Sequence, residues 1–69
     1  MKFRIKEIRE KSGWTQTQTA NALGMTLGNY QKYEYGKIRT YPHEVIEKLC
    51  RLFDCQPNDL FVLDDHQAA

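Results

Sequence analysis

The histidines and cysteines of this 69-residue chain, His43, His66, Cys50 and Cys55, are its candidates for nucleophilic or metal chemistry. His43 and Cys50 lie seven positions apart and would share one face of a helix. At 1.5 Å of rise per residue they stand about 10 Å apart, whereas a nucleophile and its base need contact at roughly 3 Å. A structural zinc takes four ligands, so both thiols would have to recruit both histidines. Two reduced cysteines packed as small hydrophobes suit this pattern better. No glycine-rich phosphate loop occurs. The expectation is a protein that is not an enzyme, with no cofactor, no metal and no small-molecule substrate.

Charge is the other chemistry available. The total is only +1, but it is unevenly spread. Lys2, Arg4, Lys6, Arg9, Lys11, Lys32, Lys37 and Arg39 face only Glu7, Glu10 and Glu34 in the first 39 residues, a net of +5. From Thr40 onward Lys48 and Arg51 face Glu44, Glu47, Asp54, Asp59, Asp64 and Asp65, a net of −4. A basic half joined to an acidic half implies a polarised surface with one side suited to phosphates. Solvated helices of mixed charge are the plainer account of the same numbers.

The elements that must position these groups are short. The chain is one domain, burying about 60% of its unfolded surface, which leaves no room for an enclosed substrate pocket. No apolar run approaches the roughly 18 residues of a membrane span, and no charged-then-apolar leader opens the chain, so a cytoplasmic protein without membrane contact is expected. Lys2 to Ser12 reads as a first helix, with Ile5 and Ile8 on one face, Phe3 joining them, and Glu7 paired to Lys11. Gly13 ends it, and Trp14 sits where an apolar residue staples the entry to the next helix. Thr15 suits an N-cap, Gln16 to Leu23 a helix, Gly24 a left-handed stop, and Thr26 a second N-cap. A further helix runs from Leu27 to about Tyr35 and stops at Gly36. Its Tyr30 and Tyr33 share the inward side, with hydroxyls reaching the rim, while Leu27, Gly28, Gln31, Lys32 and Tyr35 spread over the other.

Lys37 to Tyr41 is a loop with two cations. Pro42 fits the first turn of a fourth helix, capped near Thr40 or Tyr41, whose stripe is Ile46, Leu49 and Phe53, widened by Val45 and Leu52. Asp54-Cys55-Gln56 breaks it. Pro57 starts a last short helix with Asp59 in its first turn, and Leu60, Phe61 and Leu63 close the core. The domain is expected over 1–63, with 64–69 a frayed tail.

Cap, helix, glycine turn, cap, helix, glycine is the pattern of a helix-turn-helix. Thr15-Gln16, Ala20, Gly24, Thr26, Glu34 and Gly36, continued by Pro42 and Asp59-Leu60-Phe61, resemble the lambda-repressor-like (XRE, Cro/CI) family over nearly the whole chain. The resemblance implies an all-α fold, a compact bundle of five short helices. It implies a sequence-specific double-stranded DNA-binding transcriptional regulator of the phage or plasmid repressor, Cro-like or controller kind. The helix at 27–35 would enter the major groove.

By family position, Leu27, Gly28, Asn29 and Lys32 would read bases. Asn29 suits adenine, Lys32 suits guanine, and Leu27 a thymine methyl, although Leu27 equally suits a protein contact. Gly28 stands where the family commonly has a side chain; it either admits close backbone approach or reads nothing. Gln16, Thr26, Tyr35, Lys37 and Arg39 would contact phosphates, Gln16 at a helix N-terminus that is itself an anion site. Glu34 would tie to Arg9. Thr19 replaces a family leucine; its hydroxyl would bond the carbonyl one turn back, and Trp14 or a tyrosine ring would fill the space. One module covers only about 600–1,000 Å² of DNA, so a homodimer through the fourth and fifth helices, using Phe61, Val62 and Leu63, is expected. The alternative is an antitoxin-like or adaptor protein-interaction module on the same fold, which Leu27, Gly28 and the small total charge favour.

Overall fold

The computed structural model describes residues 2–63. Five helices and one small ribbon follow in order: β1 (Lys2–Phe3), α1 (Ile5–Lys11), α2 (Gln16–Leu23), α3 (Leu27–Glu34), α4 (His43–Phe53), α5 (Pro57–Leu60) and β2 (Phe61–Val62). The arrangement is helical throughout, as expected, apart from the ribbon. Asp64–Ala69, the expected tail, lies outside the described residues.

The ribbon corrects the reading at both ends of the chain. Lys2 and Phe3 are not the start of the first helix but pair antiparallel with Val62 and Phe61, and the Arg4 N–H donates to the Leu60 carbonyl at 2.7 Å. Phe3 and Ile5 are both buried. A separation of two puts residues on one side of a strand but on nearly opposite sides of a helix. Phe61 and Val62 likewise leave α5 for the strand. Leu63 does not close the core: it is 75% exposed.

Beneath the ribbon is an aromatic cluster. The Phe3 ring stands 4.8 Å from Tyr41 and 5.1 Å from Phe61, and Tyr41 meets Phe61 edge-on at 5.2 Å. Offset and edge-on pairs of this kind add to the burial of the rings themselves. Tyr41 therefore belongs to the core rather than to a cap. Pro42 is the N-cap of α4 rather than part of its first turn, so the helix opens later than expected, at His43.

Ile5, Ala20, Leu23, Tyr30, Tyr33, Leu49 and Leu60 form the centre of the core with Phe3. The α4 stripe appears as read, with Leu49 fully buried and Val45, Ile46, Leu52 and Phe53 half-buried. Trp14 packs edge-on against Phe53 at 5.5 Å, so it anchors the far end of α4 rather than serving only the entry to α2. Thr19 is fully buried, and its hydroxyl donates to the Thr15 carbonyl at 2.9 Å, the partner one turn back.

Candidate nucleic-acid interface

The α2–α3 unit is built by local hydrogen bonds. Thr15 accepts from the Gln18 N–H while Gln18 Oε1 accepts from the Thr15 N–H, both at 3.0 Å, a reciprocal cap that starts α2. Gly24 follows α2 at φ +72°, a left-handed conformation that a side chain would strain. Thr26 then accepts from the Asn29 N–H at 3.2 Å and starts α3. Gly24 and Thr26 therefore set the turn between the helices.

Rotation about α3 separates two groups. Tyr30 and Tyr33 are buried, whereas Leu27, Gly28, Asn29 and Lys32 are all exposed. Leu27 is 40% exposed, outside the core. A Cβ at Gly28 would meet nothing within 4 Å, so the glycine is not demanded by the fold. Asn29 leans back toward Met25 Sδ at 3.6 Å, and among the described residues nothing engages its amide oxygen. Lys37 and Arg39 follow on an exposed loop, and a cleft bordered by Lys2, Tyr35 and Arg39 opens beside it.

Behind this surface is a buried polar cluster that ties α1, α2 and α3 together. Arg9, 8% exposed, reaches Glu34 through both Nε (2.5 Å) and Nη2 (3.3 Å), and its Nη1 donates to the Trp14 carbonyl at 2.7 Å. The expected Arg9–Glu34 tie is thus present, and the Glu34 side chain is wholly inaccessible. The Tyr30 hydroxyl donates to Glu34 Oε2 at 2.5 Å. That hydroxyl is accordingly inside the molecule, not at the rim. Burial alone would raise the Glu34 pKa, but the hydrogen bonds from Arg9, Tyr30 and Gln16 prevail and hold it below the usual value. Burial and the same carboxylate push Tyr30 above the ordinary phenol range.

Gln16 is placed differently from the expectation that its amide would stand open at a helix N-terminus. Nε2 donates to Glu34 Oε1 at 2.9 Å and to the Tyr35 hydroxyl at 3.3 Å, and Oε1 accepts from Gln31 Nε2 at 3.0 Å. Gln31, expected on the outward, reading side of α3, is instead half-buried between the helices and engaged by Gln16. Its position four before Tyr35 was the available signal.

Cys50 and Cys55 are unbridged and half-buried against the core. Burial, with Cys50 alongside, pushes the Cys55 thiol up to about 11, which makes it a poor nucleophile. Among the described residues no three His, Cys, Asp or Glu side chains gather into a metal-binding group, and no helix is long and apolar enough to cross a membrane.

Two capped helices joined by a left-handed glycine, with the second presenting an exposed polar stripe, define a helix-turn-helix DNA-binding domain. The chain belongs to the Cro/C1-type HTH DNA-binding domain family, whose model matches residues 4–66. It is similar to an uncharacterized HTH-type transcriptional regulator of Archaeoglobus fulgidus, 33% identical over 67 residues that cover 97% of this chain and 94% of the relative. It is also similar to the competence pilus inhibition repressor of Acinetobacter baylyi, 27% identical over 62 residues, 90% of this chain and 56% of that protein. These relatives and the family together make this protein a DNA-binding regulator.

Proposed function

We propose that the protein is a cytoplasmic, sequence-specific transcriptional repressor that places α3 in the major groove of double-stranded DNA as one half of a homodimer. The observation that carries this reading is the division of α3: Leu27, Gly28 and Asn29 exposed in its first turn and Lys32 one turn on, Tyr30 and Tyr33 buried behind them. A recognition helix reads base edges chiefly with its N-terminal residues, which is where Leu27, Gly28 and Asn29 lie. Asn29 has the paired donor and acceptor that match adenine, Lys32 is a donor for guanine O6 and N7, and Leu27 offers a surface for a thymine methyl. Gly28 brings the backbone itself close. Around them the first turn of α2 at Gln16, Thr26 at the head of α3, Tyr35, and the exposed Lys37 and Arg39 form the phosphate-facing rim.

Repression is the direction named for the Acinetobacter relative, and a small module that occludes a promoter needs no further activity. Dimerisation follows from size, because one module of about 600–1,000 Å² seldom specifies a site tightly. Leu63 and the half-buried Phe61 and Val62 at the end of the ribbon, next to α4 and α5, supply apolar surface for it.

Selection of bound sites from random duplex DNA, followed by binding to the recovered site across a range of salt, tests the reading. The expected result is a near-palindromic site with half-sites about one helical turn apart, and a log–log salt slope of about 0.9 per phosphate neutralised. Light scattering on the complex should give two protomers. A strict monomer, both free and on DNA, rejects the dimer. Absence of binding to any duplex rejects the DNA-binding reading and leaves the adaptor in its place.

A further inference from the structure

The side-chain bonds between α2 and α3 give separate parts to two residues that meet at this junction. The Gln16 amide has two protons, and both are engaged inside the protein, one by Glu34 Oε1 and one by the Tyr35 hydroxyl. Its oxygen is held by Gln31. Chemistry sets the orientation of this amide. Glu34, facing Arg9 and held below the usual carboxylate pKa, can only accept, so the nitrogen of Gln16 must face it. Turned over, the amide would set oxygen against carboxylate and nitrogen against the Gln31 nitrogen. No proton remains on that side chain for an external anion.

The Tyr35 hydroxyl is in the complementary state. It accepts from Gln16 and, among the described residues, donates to nothing; the residue is 55% exposed. A hydroxyl whose oxygen is engaged from within turns its own proton outward, and accepting one bond makes it a better donor of the next. Tyr35 directly follows the last residue of α3 and precedes the loop of Lys37 and Arg39, on the rim that faces phosphates in the reading above.

We propose that the Tyr35 hydroxyl, and not the Gln16 amide, donates the hydrogen bond to a DNA backbone phosphate at this junction, with Gln16 and Gln31 as positioning residues that aim it. The proposal rests on the DNA-binding reading and deepens it. Gln16 acts through Tyr35. A double-variant cycle separates that from a direct contact.

The experiment uses the full chain and a duplex recovered by selection, with single methylphosphonates replacing each backbone phosphate in turn. Circular dichroism melting of each variant sets a working temperature at which all are folded. Tyr35→Phe is expected to weaken binding about tenfold, the effect of a hydrogen bond to a charged group, with the salt slope unchanged because no cation is lost. One methylphosphonate position should weaken the parent and leave Tyr35→Phe indifferent. Gln16→Met should become indifferent at that same position, and adding it to Tyr35→Phe should cost less than twofold more. The proposal is overturned if the two single effects multiply in the double variant, or if Tyr35→Phe binds like the parent. It is equally overturned if Gln16→Met keeps its sensitivity at that phosphate. A parent that binds no duplex at all removes the DNA-binding reading before any variant is made, so the two failures are told apart.

Discussion

Lys32 and Arg39 carry the same charge and both are exposed, and the parts we propose for them differ by where the backbone puts them. Lys32 stands exposed in the last turn of α3, Arg39 on the loop that follows. Lys32→Ala should weaken binding and relax preference at a single base position, whereas Arg39→Ala should weaken all duplexes about equally and lower the salt slope by about one. Binding to a randomised operator library checks this, and identical behaviour of the two variants would end the division between reading and gripping. Arg9 and Glu34 work in the opposite sense, facing inward. Arg9→Met leaves a wholly inaccessible carboxylate without its cation, which costs about 3–5 kcal/mol. A chain of this length has about 3–10 kcal/mol in total, so the variant should be largely unfolded or melt far below the parent in a calorimetric scan.

At the scale of elements, the turn between α2 and α3 decides whether the exposed stripe is presented at all. Thr26 is the point at which a small change has two readouts. Thr26→Ala removes the acceptor of the Asn29 N–H and should cost about 1 kcal/mol of stability, with Thr26→Ser close to neutral. Because the same turn carries Asn29, which we propose reads a base, Thr26→Ala should also lose affinity at a temperature where it is fully folded. Denaturant melts and binding isotherms on the same preparations separate the two effects. The ribbon is a different kind of element. Four residues of strand have little stability of their own. They persist because Phe3 and Phe61 join Tyr41 and Tyr33 in one aromatic cluster that closes the base of the bundle.

The molecule as a whole responds to pH through the same buried cluster. Glu34 has a lowered pKa in the folded chain, so it stabilises the fold above the ordinary carboxylate value of 4.5 and that contribution is lost as pH falls. Tyr30 has a raised pKa, so its contribution is complete below the ordinary phenol value of 10.0 and declines as pH rises beyond it. Melting temperature should therefore fall on both flanks, and Glu34→Gln should flatten the acid flank relative to the parent even though it melts lower throughout. An acid flank equally steep in both proteins would show that other carboxylates govern it. The uneven charge also belongs to this scale. Net +5 in the first 39 residues includes Lys32, Lys37 and Arg39 around the proposed contact surface, and the acidic remainder draws the total down to +1.

The caps and turn of the helix-turn-helix were legible without coordinates because each closes within a few residues. Thr15 with Gln18, Thr26 with Asn29, and the glycines at 24 and 36 make their bonds or adopt their left-handed backbone locally, so residue type at fixed spacing is enough. Helical periodicity likewise separated Tyr30 and Tyr33 from Lys32, since angle around an axis depends on sequence separation alone. Pairing between distant segments is not encoded that way. Phe3 meets Phe61 across nearly the full chain, and both ends were read as helix until the fold brought them side by side. The same holds for the Tyr30 hydroxyl and the Gln16 amide, whose partners come from other turns and other helices. A polar side chain takes whichever donor or acceptor packing delivers to it. Local spacing therefore determined the helix-turn-helix and its exposed stripe, while only tertiary contact decided which polar groups face outward from it.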